Sequence, residues 1–283
     1  MELQHTATRA ARLSVILKED MGLSTGLMNK LKWADRLLVN GAPQHTDFAV
    51  QSGDLVTVRM DEPEPQYPAE DAPIMVIYED EHFLALDKPA GMLIHPSRSR
   101  LTGTLANRVI GYYQKTGQSC AFHPITRLDR DTFGIVLLAK NSHVHARMQQ
   151  TPMEKTYHAL TFGGPEAEVG SIDAPIARKP LPSLLREVSP EGKPSLTEFT
   201  VLERRGELCK LALRPITGRT HQLRIHCAYM GYPILGDPQY GNPASMEKSA
   251  QLGLQSQLLC ARELKFTHPI TGQALCLRSE MDV

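Results

Sequence analysis

"HPITRLDRDTFGIVLLAK", His123 to Lys140, sets Arg127, Asp129, Arg130 and Asp131 directly before the apolar run Ile135-Val136-Leu137-Leu138-Ala139. The run is short and rich in branched side chains, so it reads as a buried strand. A carboxylate flanked by arginines keeps its charge, because neighbouring positive charge favours the ionised form. Two readings of Asp129 follow: a surface turn with loose ion pairs of little worth, or a charged nucleophile or base at the edge of the core. Charged turns are far commoner than catalytic ones, so the stretch alone does not choose the second.

Around this strand the pattern alternates hairpins with single helices. "IMVIYED" and "HFLALDKP" read as two short strands and "TGTLANRVIGYYQKTG" as a helix. "SHVHARMQQ" predicts a helix, "KTYHALTFGG" a strand, and "SLTEFTVLERRGELCKLALRPI" a hairpin turning at Arg205-Gly206. "GRTHQLRIHCAYMGYP" predicts a helix ended by Gly231, with Leu223, Cys227 and Met230 on its core face. "QLLCARELKFTHPITG" predicts a late strand. The sum is an α+β protein around a largely antiparallel sheet, over residues 74–283.

Residues 1–60 read as a smaller α/β unit. It has a helix with Leu13, Ile16 and Leu17 inward, then a second helix capped by Ser24 or Thr25 with Leu27, Leu31 and Trp33 or Ala34 inward. Strands are predicted at "RLLVNGAPQ" and "SGDLVTVRM". Between the units, residues 61–73, "DEPEPQYPAEDAP", carry four prolines and read as an extended acidic linker.

The chain has 283 residues, 41% apolar and 22% charged, which excludes disordered and fibrous classes. No apolar run is long enough to cross a bilayer, and the N-terminus lacks a signal-peptide core. Cys120, Cys209, Cys227, Cys260 and Cys276 are scattered, which argues against a disulfide framework or a zinc site. A cytoplasmic protein without a membrane partner is the expectation. The net charge of +0 hides a partition: +1 over residues 1–60, −9 over 61–87 and +8 over 88–283. Such asymmetry suits a polyanion bound to one part of the chain.

Two further segments carry reactive side chains. In "MEKTYHALTFG", Tyr157 is a packing tyrosine or one that stacks on a base and moves a proton. In "PITGRTHQLRIHCAYMGYPILGDPQYG", Arg219, His221, Gln222, Arg224 and His226 crowd the start of the helix, as a solvated face or as donors to phosphate or carboxylate. His221 and His226 are spaced wrongly for a helical metal pair. His95-Pro96 and His123-Pro124 read as turns. No G-x-S-x-G, Walker loop or G-x-G-x-x-G is present.

Taken together, "DEHFLALDKPAGMLIHP", "ITRLDRDTFGIVLLAK", "KTYHAL", "GKPSLTEFTVLE", "PITGRTHQLRIHCAYMGYPILGDPQYG" and "LCARELKFTHPITG" resemble the RluA family of RNA pseudouridine synthases, in the family's order across residues 74–272. "LLVNGAPQ…SGDLV" is similar to the small ribosomal-protein-type RNA-binding fold that often precedes that catalytic domain. The resemblance implies an isomerase that detaches uracil, rotates it and reattaches it through carbon 5, with no metal or cofactor. It implies Asp129 as the catalytic aspartate, acting as nucleophile or base, Tyr157 against the target base, and Arg224 pairing with the aspartate. Arg127 is implied to displace the uridine from its stack, which costs a few kcal/mol. Arg130, Arg219 and His221 would contact RNA, as would Lys30 and Lys32 of the N-terminal unit. The family usually has histidine where Thr126 stands and a small hydroxyl residue where Phe133 stands. The expected substrate is structured RNA bound by a monomer, large-subunit ribosomal RNA first and transfer RNA as the alternative. The rivals are a non-catalytic RNA-binding or ribosome assembly factor that retains the fold, and a glycoside hydrolase using Asp129 and Asp131. The two carboxylates stand too near in sequence for the latter.

Overall fold

A computed structural model describes residues 2–23, 25–60, 67–97, 100–183 and 185–283. The N-terminal unit is a four-stranded antiparallel sheet of β1 (Glu2–Thr6), β2 (Leu37–Val39), β3 (Ala42–Pro43) and β4 (Leu55–Arg59), in the order β1-β4-β2-β3. Two helical segments cover it: α1 (Leu13–Val15), continuing as a π turn over Ile16–Asp20, and α2 (Thr25–Lys32). Leu13, Ile16 and Leu17 are fully buried in a core that includes Met28, Leu31, Val56 and Val58.

Trp33 is not in that core. It is 77% exposed, and Ala34 is exposed too. The helix ends at Lys32, so the following residues leave its 3.6-residue periodicity, and Met28 takes the inner place beside Leu31. Thr25 is the first helical residue rather than the cap, and Ser24 lies outside the described residues.

Residues 61–66 of the acidic stretch lie outside the described residues; the rest of it is docked. Glu70 donates its N–H to the Asn107 carbonyl at 3.0 Å, and its carboxylate accepts from the Gly103 N–H at 2.8 Å. Asn107 donates to the Pro68 carbonyl at 2.9 Å. The segment thus runs along the start of α3 (Leu105–Lys115), whose first turn is closed by a Thr104–Asn107 capping box.

The larger sheet has ten strands. Its main path uses β5 (Met75–Glu79), β6 (Phe83–Lys88), β7 (Phe133–Ala139), β8 (Met153–Phe162), β9 (Val169–Asp173), β10 (Leu196–Arg205), β11 (Leu208–Pro215) and β12 (Leu259–Thr267), ordered β9-β10-β11-β8-β12-β7-β6-β5. A further strand, β13 (Ala274–Arg278), pairs with β12, and His123–Pro124 pairs with the end of β7 rather than forming a plain turn. Helix α4 (Ser142–Met148) follows β7, and α5 (Gln222–Tyr229) and α6 (Pro243–Gln251) follow β11. The architecture is α+β, as the alternation of hairpins and single helices predicts.

Every neighbouring pair in this sheet is antiparallel except β7 with β12. That parallel pairing spans only Phe133 with Cys260 and Gly134 with Ala261. The sheet is therefore two antiparallel halves joined at a narrow seam. At the seam Gly134 has φ +103°, and a Cβ there would lie 2.4 Å from the Ala261 carbonyl oxygen, so only glycine closes it. One half packs Phe83, Ala85, Ile135 and Leu137 on one face and Leu84, Leu86, Val136 and Leu138 on the other. The other half packs Ala159, Leu211 and Leu213 against Leu223 and Cys227 of α5. Met230 departs from the expected core face: α5 ends at Tyr229, and Met230 is 39% exposed.

Candidate active site

The Asp129 loop is pinned at both ends. Ile125 donates its N–H to the Leu137 carbonyl at 2.8 Å, and the Thr126 hydroxyl accepts from the Leu137 N–H at 2.9 Å. Thr126, the departure from the expected histidine, thus anchors the loop to β7. At the far end the Thr132 hydroxyl accepts from Gln257 at 3.2 Å, just before the chain enters the seam. Between them the fully buried Lys88 ammonium donates to the carbonyls of Pro89 (2.9 Å), Met92 (3.0 Å) and Arg130 (2.9 Å). Burial pulls the Lys88 pKa down to about 8, against the opposing charges of Asp131 and Asp129.

Neither flanking arginine pairs with Asp129. Arg130 turns back on Asp131, with bonds of 2.9 and 2.8 Å, and Arg127 is exposed. The partner is Arg224, far away in sequence on α5, whose Nη1 donates to Asp129 Oδ2 at 3.3 Å. Arg224 itself is buried. Its Nε and Nη2 form a bidentate pair with Asp237, both at 2.7 Å, and Nη2 also reaches Gln239 at 2.8 Å. The face of α5 that could have been solvated is instead interior: Gln222, Arg224 and His226 are all buried. His226 bridges the Thr197 hydroxyl and the Ala174 carbonyl, both at 2.9 Å, and is structural.

Tyr157 lies on β8 beside the seam, paired with Ala261 on one side and Leu213 on the other, after a bulge at Thr156/Tyr157. Burial, reinforced by the charge of Asp129, pushes its hydroxyl up to about 12. The Asp129 loop and Tyr157 come from opposite halves of the sheet. His221 stands beside Asp129, with Nε2 3.8 Å from Asp129 Oδ2 and Nδ1 2.9 Å from the Tyr240 hydroxyl. The Arg224 guanidinium sits 5.0 Å over the Tyr240 ring.

Of the residues singled out in the sequence, the structure thus brings together Asp129, Arg224 and His221, with Tyr157 on the strand across Ala261 from the seam. Arg219 holds the Pro194 carbonyl at 3.1 and 3.2 Å and is otherwise exposed. Lys30 and Lys32 belong to α2 of the N-terminal unit, with Lys32 over the Trp33 ring at 4.8 Å. Sequence reading missed Asp237, Gln239, Tyr240 and Lys88 as members of the site. The available signal was "GDPQYG": a buried arginine requires a carboxylate, and Asp237 follows its helix closely. Among the described residues no group of His, Cys, Asp and Glu is arranged to hold a metal. No helix among them is long and apolar enough to cross a membrane.

The profile of a family described as RNA pseudouridylate synthase matches residues 82–229, which span both sides of the seam and include Asp129, Tyr157 and Arg224. The chain belongs to this family. It is an RNA pseudouridine synthase, an isomerase. Among its relatives, the RNA pseudouridine synthase YjbO of Bacillus subtilis is 35% identical and covers 90% of each chain. Ribosomal large subunit pseudouridine synthase D of Vibrio cholerae is 35% identical over 80% of this chain and 73% of that protein. The solved structure of human RNA pseudouridylate synthase domain containing 1 shares the fold, with a TM-score of 0.61 at 24% identity over 76% of this chain and 86% of that one. The two-residue seam sets the start of β7, just after the Asp129 loop, and Tyr157 of β8 on opposite sides of Ala261 in β12.

Proposed function

We propose that this synthase isomerises specific uridines of structured RNA, in large-subunit ribosomal RNA, with Asp129, Tyr157 and Arg224 at the reacting base. The observation that carries the reading is the chain of buried charge from Asp237 through Arg224 to Asp129: an interior arginine holds one carboxylate with two bonds and still reaches a second, partly exposed one. A carboxylate so held stays aimed without help from solvent, as a nucleophile toward the ribose or a base on it must be. In the reaction the bond from ribose to N1 of uracil breaks, the base turns, and a bond to carbon 5 forms. The proton on carbon 5 leaves to solvent and N1 gains one. Tyr157, across Ala261 from the seam, would assist the proton's removal.

Arg127, exposed beside the loop, fits displacement of the uridine, while Arg130 and Arg219 fit phosphate contacts. The N-terminal unit, residues 1–60, serves in this reading as a second RNA-binding domain through Lys30 and Lys32, and the enzyme works as a cytoplasmic monomer. The ribosomal assignment is supported by the curated relatives named for the large subunit, synthases D and C of Vibrio cholerae, at 35% and 33% identity.

The test uses RNA tritiated at carbon 5 of uridine, purified from cells lacking this gene, with wild type and Asp129→Asn. Release from large-subunit ribosomal RNA by the wild type alone is expected. Release confined to transfer RNA would replace the substrate. No release from either, by folded protein, would overturn the catalytic reading in favour of a binding factor.

A further inference from the structure

His221 occupies a backbone conformation that its position does not otherwise require. It precedes Gln222, the first residue of α5, with φ +57° and ψ +19°, in the left-handed region. A residue other than glycine is uncommon there and is held by its surroundings. The ring makes no capping bond to the helix. Gln222 instead braces the preceding turn: its Oε1 accepts from the Arg219 N–H at 3.0 Å and from the Thr217 hydroxyl at 2.9 Å. The strained backbone therefore serves to aim the imidazole elsewhere.

Where it is aimed follows from a directed series of hydrogen bonds. The Arg186 backbone N–H, on the short strand Arg186–Val188, donates to the Tyr240 hydroxyl oxygen at 3.3 Å. The other partner of that hydroxyl is His221 Nδ1, 2.9 Å away, to which the phenolic hydrogen can be donated. An Nδ1 that accepts leaves the ring hydrogen on Nε2, and Nε2 faces Asp129 Oδ2 at 3.8 Å. Tyr240 is itself fixed: Asp237 Oδ1 accepts its N–H at 3.2 Å, and the Arg224 guanidinium lies over its ring. One residue, Asp237, thus orders both groups that face Asp129 Oδ2.

We propose that His221, with its tautomer set by Tyr240, is a positioning residue for the reaction: its Nε2–H joins Arg224 in holding Asp129 Oδ2, so that Oδ1 is presented to the nucleoside. The assignment rests on the proposed catalytic role of Asp129 and moves His221 from contact with RNA to control of the carboxylate. The gap of 3.8 Å closes by a small rotation of Asp129, whose side chain is 31% exposed, rather than of the fixed ring. Burial, with the positive charges of Arg224 and Arg186, lowers the His221 pKa against the carboxylates of Asp129 and Asp237, so the ring is neutral near pH 7. A neutral donor fits this role, since it orients the aspartate without removing its charge.

Two measurements test it. Long-range 1H–15N spectra of the labelled free enzyme read the tautomer directly and need no substrate. His221 is expected neutral with the hydrogen on Nε2, and Tyr240→Phe is expected to move it toward a mixture. A wild-type ring protonated on Nδ1, or on both nitrogens near pH 7, overturns the proposal. Single-turnover tritium release from large-subunit ribosomal RNA is the second readout. Loss of one hydrogen bond to a charged group predicts a rate about 10- to 100-fold lower for His221→Leu, with partial recovery in His221→Gln and RNA Kd within about 3-fold of wild type. Weakened Kd with an unchanged rate would overturn it and return His221 to the RNA interface. If the wild type releases nothing from that RNA, the substrate assignment fails, and the spectra still decide the position of the ring hydrogen.

Discussion

Asp237→Asn is the substitution that tests the site most directly. The change is isosteric, but an amide can offer only one oxygen. In the native site Oδ2 accepts from Nε of Arg224, while Oδ1 accepts from its Nη2 and from the N–H groups of Gln239 and Tyr240 at 2.9 and 3.2 Å. Whichever way the asparagine turns, its NH2 meets a donor. The arginine and the aspartate side chains are only 5% and 1% exposed, so water cannot take the lost acceptor's place. Removing one partner of a buried pair costs about 3–5 kcal/mol. The lower end applies here, because Arg224 keeps Asp129 and Gln239 as acceptors.

For a domain of this size that loss lowers Tm by about 6–12 °C, measurable by circular dichroism. Activity should fall further than stability implies. With Asp237 neutral, Arg224 re-centres on Asp129 and drags the carboxylate from its aim, and a misplacement on the order of 1 Å costs about a hundredfold in rate. The companion is the double variant Arg224→Met/Asp237→Leu, which removes both charges at once. It should melt closer to wild type than Asp237→Asn does, while releasing no tritium. An Asp237→Asn enzyme within about 2 °C of the wild-type Tm and of near-normal turnover would refute the reasoning. So would a double variant whose loss is the sum of the two singles.

Two further outcomes follow from groups near the seam. Gly134→Ala should cost about 4 kcal/mol or prevent folding, since its Cβ meets the Ala261 carbonyl at 2.4 Å on a φ of +103°; Gly218→Ala, with open space around it, should change urea stability by less than about 0.5 kcal/mol. Lys88 has a folded pKa of about 8 against the usual 10.5, so between those values the unfolded chain holds a proton that the folded one has lost, and stability from this group rises with pH there. Wild type should gain about 2 kcal/mol over Lys88→Met between about pH 7.5 and about pH 10 in urea titrations, and a flat difference would mean that the ammonium is not desolvated.

Much of this molecule was legible because its signals are local. Ile135 to Ala139 formed the buried strand that their branching and brevity predict, and Leu13, Ile16 and Leu17 went inward together. What was not legible depends on contacts between distant segments. Trp33 looked like a core residue until the helix ended one position too soon, and Asp237 drew no notice because nothing local says that it will meet a buried Arg224. The seam was invisible too, since two residues of parallel pairing leave no periodicity to read. Yet the seam explains why charge collects at the mouth of the core. Where a strand stops pairing, its carbonyls and those of the adjoining loop need donors from elsewhere. Lys88 fills that need for Pro89, Met92 and Arg130, and its buried positive charge is in turn offset by Asp131 and Asp129. Asp129 then needs a donor on its far side, which Arg224 supplies, and Arg224 needs Asp237. Each charge is required by the one before it, and the series begins at an interruption in the backbone pairing.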